Sequence, residues 1–170
     1  MNLSQITILL PDIRSAQNVG AIMRTADAVG ARVWTSGISP HPIIKNDTRP
    51  PHVADRAARL INKTALGAEK TAFQIHYPAF EQAIASAREL KMVVCALEQN
   101  LDSVNLFDYK STKPLLLIVG PEVEGLNQNQ LGACDVTLEI PMVGIKECLN
   151  VSVAAGIALY ALSQVVPRNK

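Results

Sequence analysis

Long apolar runs are missing from this chain. No stretch of about 18 apolar residues occurs, so a membrane-spanning helix is excluded. The opening residues MNLSQITILLPDIR lack a basic leader region and a small-residue cleavage site, so no secretory signal is expected. Cysteine is scarce. Cys95, Cys134 and Cys148 form an odd set without CxxC spacing, which disfavours a disulfide framework or a zinc knuckle and suits a reducing, cytoplasmic setting. His41, His52 and His76 are scattered, without the spacing of a ligand set, and no metal is expected. The dinucleotide fingerprint GxGxxG is also absent, so a Rossmann-type cofactor site has no support.

Excess charge is missing too. The net is +1 over 170 residues, which taken alone argues weakly against a nucleic-acid binder. Its distribution is uneven. Residues 1–63 hold eight Lys or Arg against four Asp or Glu, and the remainder holds eight against eleven. A basic first third suits phosphate contacts, although an asymmetry of this size also arises by chance.

What is present is enough for one domain. The hydrophobic fraction is 48% and the mean hydropathy +0.15, a composition that folds and buries a core at this length. Short apolar runs at 6–10, 32–37, 73–77, 92–97, 115–120 and 136–140 read as strands, and those at 92–97 and 115–120 are continuous, as strands covered on both faces are. Helices are expected over 17–30, 79–91, 127–133 and 151–165. Strands alternating with helices give an α/β class with a mainly parallel sheet flanked by helices. The long stretch 38–72 reads as irregular, with a short helix at 53–62. It carries Lys45, Arg49, Arg56, Arg59 and Lys63, and a loop of that length is usually functional or mobile.

Three segments carry chemistry. In Asn18–Asp27 the residues Val19, Ile22, Met23 and Ala26 form one apolar face, leaving Gly20, Arg24 and Asp27 on another. Gly20, one turn before Arg24, admits a neighbouring backbone, and an arginine beside that gap suits a phosphate or ribose. Asn18 lies near the helix start, where backbone N–H groups attract anions. Spacing also admits a solvated Arg24–Asp27 pair. The second segment, LLLIVG followed by Pro121-Glu122-Val123-Glu124-Gly125-Leu126, is a buried strand entering a tight loop. Ligands bind outside the carboxyl ends of such strands, with Gly120 permitting close approach; an ordinary turn with solvated Glu122 and Glu124 is the other reading. The third, Ile140 to Ala154, joins a strand to a nearly all-apolar helix that must be buried in the core or an interface. Asn150 suits the N-cap, bonding the N–H of Ser152 or Val153.

Together the three segments resemble the SpoU (TrmH-type) family of RNA 2′-O-ribose methyltransferases, within the SPOUT superfamily. N-x-G-x-I-x-R-x-A stands at Asn18–Ala26, G-x-E-x-x-G-L at Gly120–Leu126, and I-P-M-x-G…L-N-V-S-V-A at Ile140–Ala154. Lys63–Glu69 also looks like a segment common in tRNA-type members. The resemblance covers almost the whole chain and implies a single domain over 1–170. Its C-terminal part, about 92–165, would be threaded as a deep trefoil knot that holds S-adenosylmethionine. On the matching motif positions, Leu97, Gly120, Ile140, Met142 and Leu149 would form the donor pocket. Arg24 would be catalytic, with Asn18, Glu122 and Asn150 beside it. The family works as homodimers with a shared active site. The implied substrate is RNA, tRNA before rRNA, and the basic stretch with Lys45, Arg49, Arg56, Arg59 and Lys63 is expected to grip it; the need for an accessory protein is left open, and a non-catalytic RNA-binding module is the alternative. One departure stands out. The family commonly has serine where this chain has Cys148, and a thiol is a weaker hydrogen-bond donor and acceptor; either the position tolerates any small residue, or substrate geometry or activity differs.

Overall fold

The computed structural model describes residues 6–145 and 148–163. Seven strands form one sheet: β1 (Ile6–Pro11), β2 (Arg32–Ser36), β3 (Gln74–Tyr77), β4 (Val93–Leu97), β5 (Val104–Asn105), β6 (Leu115–Val119) and β7 (Val136–Glu139). Their order is β3-β2-β1-β6-β4-β7-β5, and every described pairing is parallel. The carboxyl ends therefore all lie along one edge.

The pleat explains why the central strands read as unbroken apolar runs. Leu115, Leu117 and Val119 of β6 enter the core on one face with Ile6, Ile8 and Leu10 of β1. Leu116 and Ile118 enter the core on the other face with Leu9, Trp34, Val94 and Ala96. Helices α1 (Ala16–Val29), α2 (Pro51–Ala65) and α6 (Val151–Leu162) cover the first face, and α4 (Phe80–Glu89) covers the second. Short helices α3 (Ala68–Thr71) and α5 (Gln128–Gly132) complete the set.

Helix α1 starts where Ser15 accepts the N–H of Asn18 at 3.2 Å and stops at Gly30, in the left-handed region at φ 71°. That is the stop expected from the sequence. The segment 38–72 departs from its expected irregularity. Helix α2 runs for 15 residues, longer than the 53–62 expected, because Pro51 sits in its first turn, where proline's missing N–H costs nothing. Strand β5, of two residues, was too short to show a period. The last helix ends at Leu162; its expected positions 164–165, like Lys146 and Glu147 of the third motif, lie outside the described residues.

Candidate active site

The carboxyl ends of β6, β4 and β7 lie side by side, and the loops that follow them enclose a cleft of about 470 Å³. That is within the size range of small-molecule sites. All five residues expected in a donor pocket, Leu97, Gly120, Ile140, Met142 and Leu149, line it. So do Glu98, Gln99 and Asn100, which the motifs did not single out, although the end of a buried strand was a usable signal. Cys148 lines it as well and is exposed.

Gly120 is fixed by crowding. A β-carbon there would lie 2.7 Å from the carbonyl carbon of Gly125 and 2.8 Å from the amide nitrogen of Leu126. The loop 120–126 folds back on the strand end, closed by Gly125 N–H donating to Pro121 O at 3.0 Å and Leu126 N–H to the Glu98 carboxylate at 3.2 Å. The cleft thus combines close backbone, apolar side chains and three carboxylates, Glu98, Glu122 and Glu124. A mixed apolar surface with a negative rim fits a nucleoside ligand bearing a positive charge.

The three motifs meet at one hydrogen-bond chain. The Asn18 side-chain N–H donates to Glu122 Oε1 at 2.8 Å. The Asn150 side-chain N–H donates to Asn18 Oδ1 at 3.4 Å. Asn150 Oδ1 in turn accepts the N–H of Ser152 at 2.9 Å, capping α6 as expected. The start of α1, the loop after β6 and the start of α6 are thereby tied together. Arg14 and Glu124 add an exposed ion pair at 2.9 Å.

Arg24 is not part of this chain. It is exposed and lines a second cleft of about 550 Å³ with Thr25, Lys63, Thr64 and Tyr160. The Arg24–Asp27 pair that spacing allowed is not among the ion pairs of the described residues; Asp27 instead accepts the Thr71 hydroxyl at 2.8 Å. The gap at Gly20 admits α2: a β-carbon there would collide with the Thr64 hydroxyl and the Ile61 carbonyl, and that hydroxyl donates to Gln17 O at 2.8 Å.

The basic residues divide. Arg56, Arg59 and Lys63 are exposed on α2 and Lys45 is exposed in the preceding loop. Arg49 stands apart from these four. It is only partly exposed, holds Asp47 in an ion pair at 2.5 Å, and donates to the carbonyls of His41 at 3.0 Å and Pro42 at 3.2 Å. Its guanidinium is a clamp inside the loop. Beneath that loop His41 stacks on His76 at 3.8 Å, and Thr35 Oγ1 lies 3.0 Å from His76 Nδ1. Burial, aided by the neighbouring His41 and Arg49, pushes His76 down to about 4. Burial pushes the thiols of Cys95 and Cys134 up, to about 12 and about 11, which keeps them protonated and unreactive. No group of three or more candidate metal ligands occurs among the described residues.

The model of the SpoU rRNA Methylase family matches residues 5–160. A tRNA (guanosine(18)-2′-O)-methyltransferase of Thermus thermophilus is 28% identical over 155 residues, covering 91% of this chain and 72% of that protein. A 23S rRNA (guanosine-2′-O-)-methyltransferase of Nitrosomonas europaea is 32% identical over 162 residues, covering 91% of this chain but 54% of the other. The SpoU methyltransferase AviRb of Streptomyces viridochromogenes, solved in complex with AdoMet, superposes with a TM-score of 0.74 at 27% identity, over 91% of this chain and 55% of that one.

Proposed function

We propose, from the premise that the chain belongs to the SpoU rRNA Methylase family, that it transfers a methyl group from S-adenosylmethionine to a ribose 2′-hydroxyl of RNA, with tRNA the favoured substrate. The observation that carries this is the hydrogen-bond chain in which Asn18 of the first motif ties together Glu122 and Asn150 of the other two, whose loops line one cleft at the strand ends, with an unpaired arginine outside it.

The cleft residues fit the donor. Gly120 lets it lie against backbone, Leu97, Ile140, Met142 and Leu149 supply apolar contact, and the carboxylates of Glu98, Glu122 and Glu124 favour its positive charge. When bound, the donor supplies an electrophilic methyl on a sulfonium. Asn18, Glu122 and Asn150 act as positioning residues that hold the cleft's loops against α1 and α6. Arg24 acts on the RNA. A guanidinium stays charged and has no acceptor atom, so it orients the 2′-hydroxyl and stabilises the charge that grows on its oxygen. The hydroxyl proton leaves to solvent as the new carbon–oxygen bond forms. Holding both reactants in line supplies much of the acceleration.

The arrangement favours a homodimer. Arg24 lies six positions after Asn18 in α1, about 9 Å further along the axis and about a third of a turn round it, and it lines the second cleft rather than the one at the strand ends of its own chain. A second copy would bring its Arg24 to the strand-end cleft. Exposed Val143, Ile145, Val153 and Tyr160 offer apolar surface for the contact. The proposal also includes a knotted C-terminal segment over about 92–165, supported by β6 lying between β1 and β4 while β7 returns beside β4 and α6 packs back on α1. Three free thiols support a cytoplasmic setting.

The test is transfer of labelled methyl to unmodified total tRNA, with rRNA in parallel. Label in tRNA supports the reading. Label in rRNA alone would move the substrate to the ribosomal class, to which the Nitrosomonas relative belongs by name. No label in either RNA despite donor binding, with or without cell extract to supply an accessory protein, would sink it in favour of a non-catalytic module.

A further inference from the structure

The cleft that contains Arg24 has a second cation. Lys63 stands in the last turn of α2 and lines the same cavity, and no Asp or Glu lines it with them. The nearest carboxylate on α1, Asp27, is drawn off by Thr71. Neither Arg24 nor Lys63 takes part in an ion pair among the described residues.

The position of Lys63 is held by the backbone beneath it. Its neighbour Thr64 bonds Gln17 O and packs where Gly20 lacks a side chain, so the end of α2 cannot drift from α1. Two cations kept in one cleft without a counter-charge repel each other, and an anion relieves that repulsion. In RNA the anion nearest any ribose 2′-oxygen is the phosphodiester on the adjacent 3′-oxygen. If Arg24 addresses the 2′-hydroxyl, that phosphate necessarily lies within a few bonds of it.

We propose that Lys63 is a positioning residue whose ammonium, beside Arg24, holds the phosphodiester on the 3′ side of the ribose to be methylated. This inference rests on the RNA-methylation reading above and adds the group of the substrate that the second cleft takes. Tyr160 and Thr25 close the remaining sides of the cleft.

The test compares the wild type with Lys63→Ala and Lys63→Arg. Lys63 is exposed, so neither change disturbs the core. In donor-free binding to unmodified tRNA, Lys63→Ala should weaken affinity and flatten the log–log salt slope by about 0.7 to 0.9, the loss of one phosphate contact. Its donor affinity should stay as in the wild type, because Lys63 does not line the donor cleft. Lys63→Arg should restore most of the affinity and the slope. In turnover, a single neutral methylphosphonate 3′ to the modified nucleotide should lower kcat/KM for the wild type but add little to the loss in Lys63→Ala. An unchanged salt slope, or losses from the methylphosphonate and the substitution that multiply independently, would overturn the proposal. Because the slope is read without turnover, the proposal is tested even if the wild type methylates no RNA, an outcome that would defeat only the wider reading.

Discussion

A β-carbon on Gly120, just after β6, would meet the backbone of Gly125 and Leu126 at under 3 Å, so Gly120→Ala forces the loop outward. Overpacking of this kind costs about 1–3 kcal/mol. We expect at least about a fivefold rise in the Kd for S-adenosylmethionine, the lower bound of that cost, with a lower Tm. Calorimetric titration giving wild-type affinity would contradict the close-approach role. A second residue prediction concerns pH. The unfolded chain protonates His76 near 6.5, whereas the folded chain resists until about 4. Between those values protons favour unfolding, so stability present above pH 6.5 is lost as pH falls toward 4. His76→Gln, which keeps a partner for Thr35, should flatten the dependence of Tm on pH across that window; an unaltered slope would count against the buried stack. At this scale the five residues expected in the cleft were legible, Gly120, Ile140, Met142 and Leu149 because they stand in two of the motifs and Leu97 because it ends a buried strand. The role of Arg49 was not. Its partner Asp47 is two residues away across a turn, a contact with no periodic signature.

Helix α1 was legible from its apolar face and its glycine stop, and α6 from its Asn150 cap. Helix α2 was read too short, because Pro50 and Pro51 resemble loop punctuation although proline suits a helix start. That Gly20 admits a neighbouring backbone was legible, but not that α2 is the neighbour, since this depends on Gly20 in one helix meeting Ile61 and Thr64 in another. That contact gives a prediction with opposing terms. Gly20→Ala gains about 1 kcal/mol of intrinsic helix propensity, but its β-carbon collides with a carbonyl and a hydroxyl. Overpacking at about 1–3 kcal/mol outweighs the gain. We expect net destabilisation in denaturant titration, together with weaker RNA binding as the end of α2 shifts. A more stable Gly20→Ala protein would show that the two helices are not closely docked there.

On the scale of the whole molecule, the α/β class and the parallel sheet followed from alternating strands and helices, whereas strand order and threading did not, because periodicity marks elements and not their neighbours. The separation of Arg24 from the donor cleft emerges only from the fold, and it makes the proposed homodimer testable by mixing. Arg24→Ala and Gly120→Ala damage different halves of a shared site. Assayed at a donor concentration far below the raised Kd of Gly120→Ala, random reassociation of the two proteins should form heterodimers with one intact site, restoring about a quarter of wild-type activity if a twofold dimer shares its sites. No recovery after confirmed subunit exchange would mean that each chain works alone.

The central claim is tested most directly by locating the transferred methyl. RNA labelled by the wild-type protein should be digested with alkali, which cleaves a phosphodiester only when the neighbouring 2′-hydroxyl is free. The account predicts label in an alkali-resistant dinucleotide, and none with Arg24→Ala. Label released in mononucleotides, or undiminished transfer by Arg24→Ala, would contradict it.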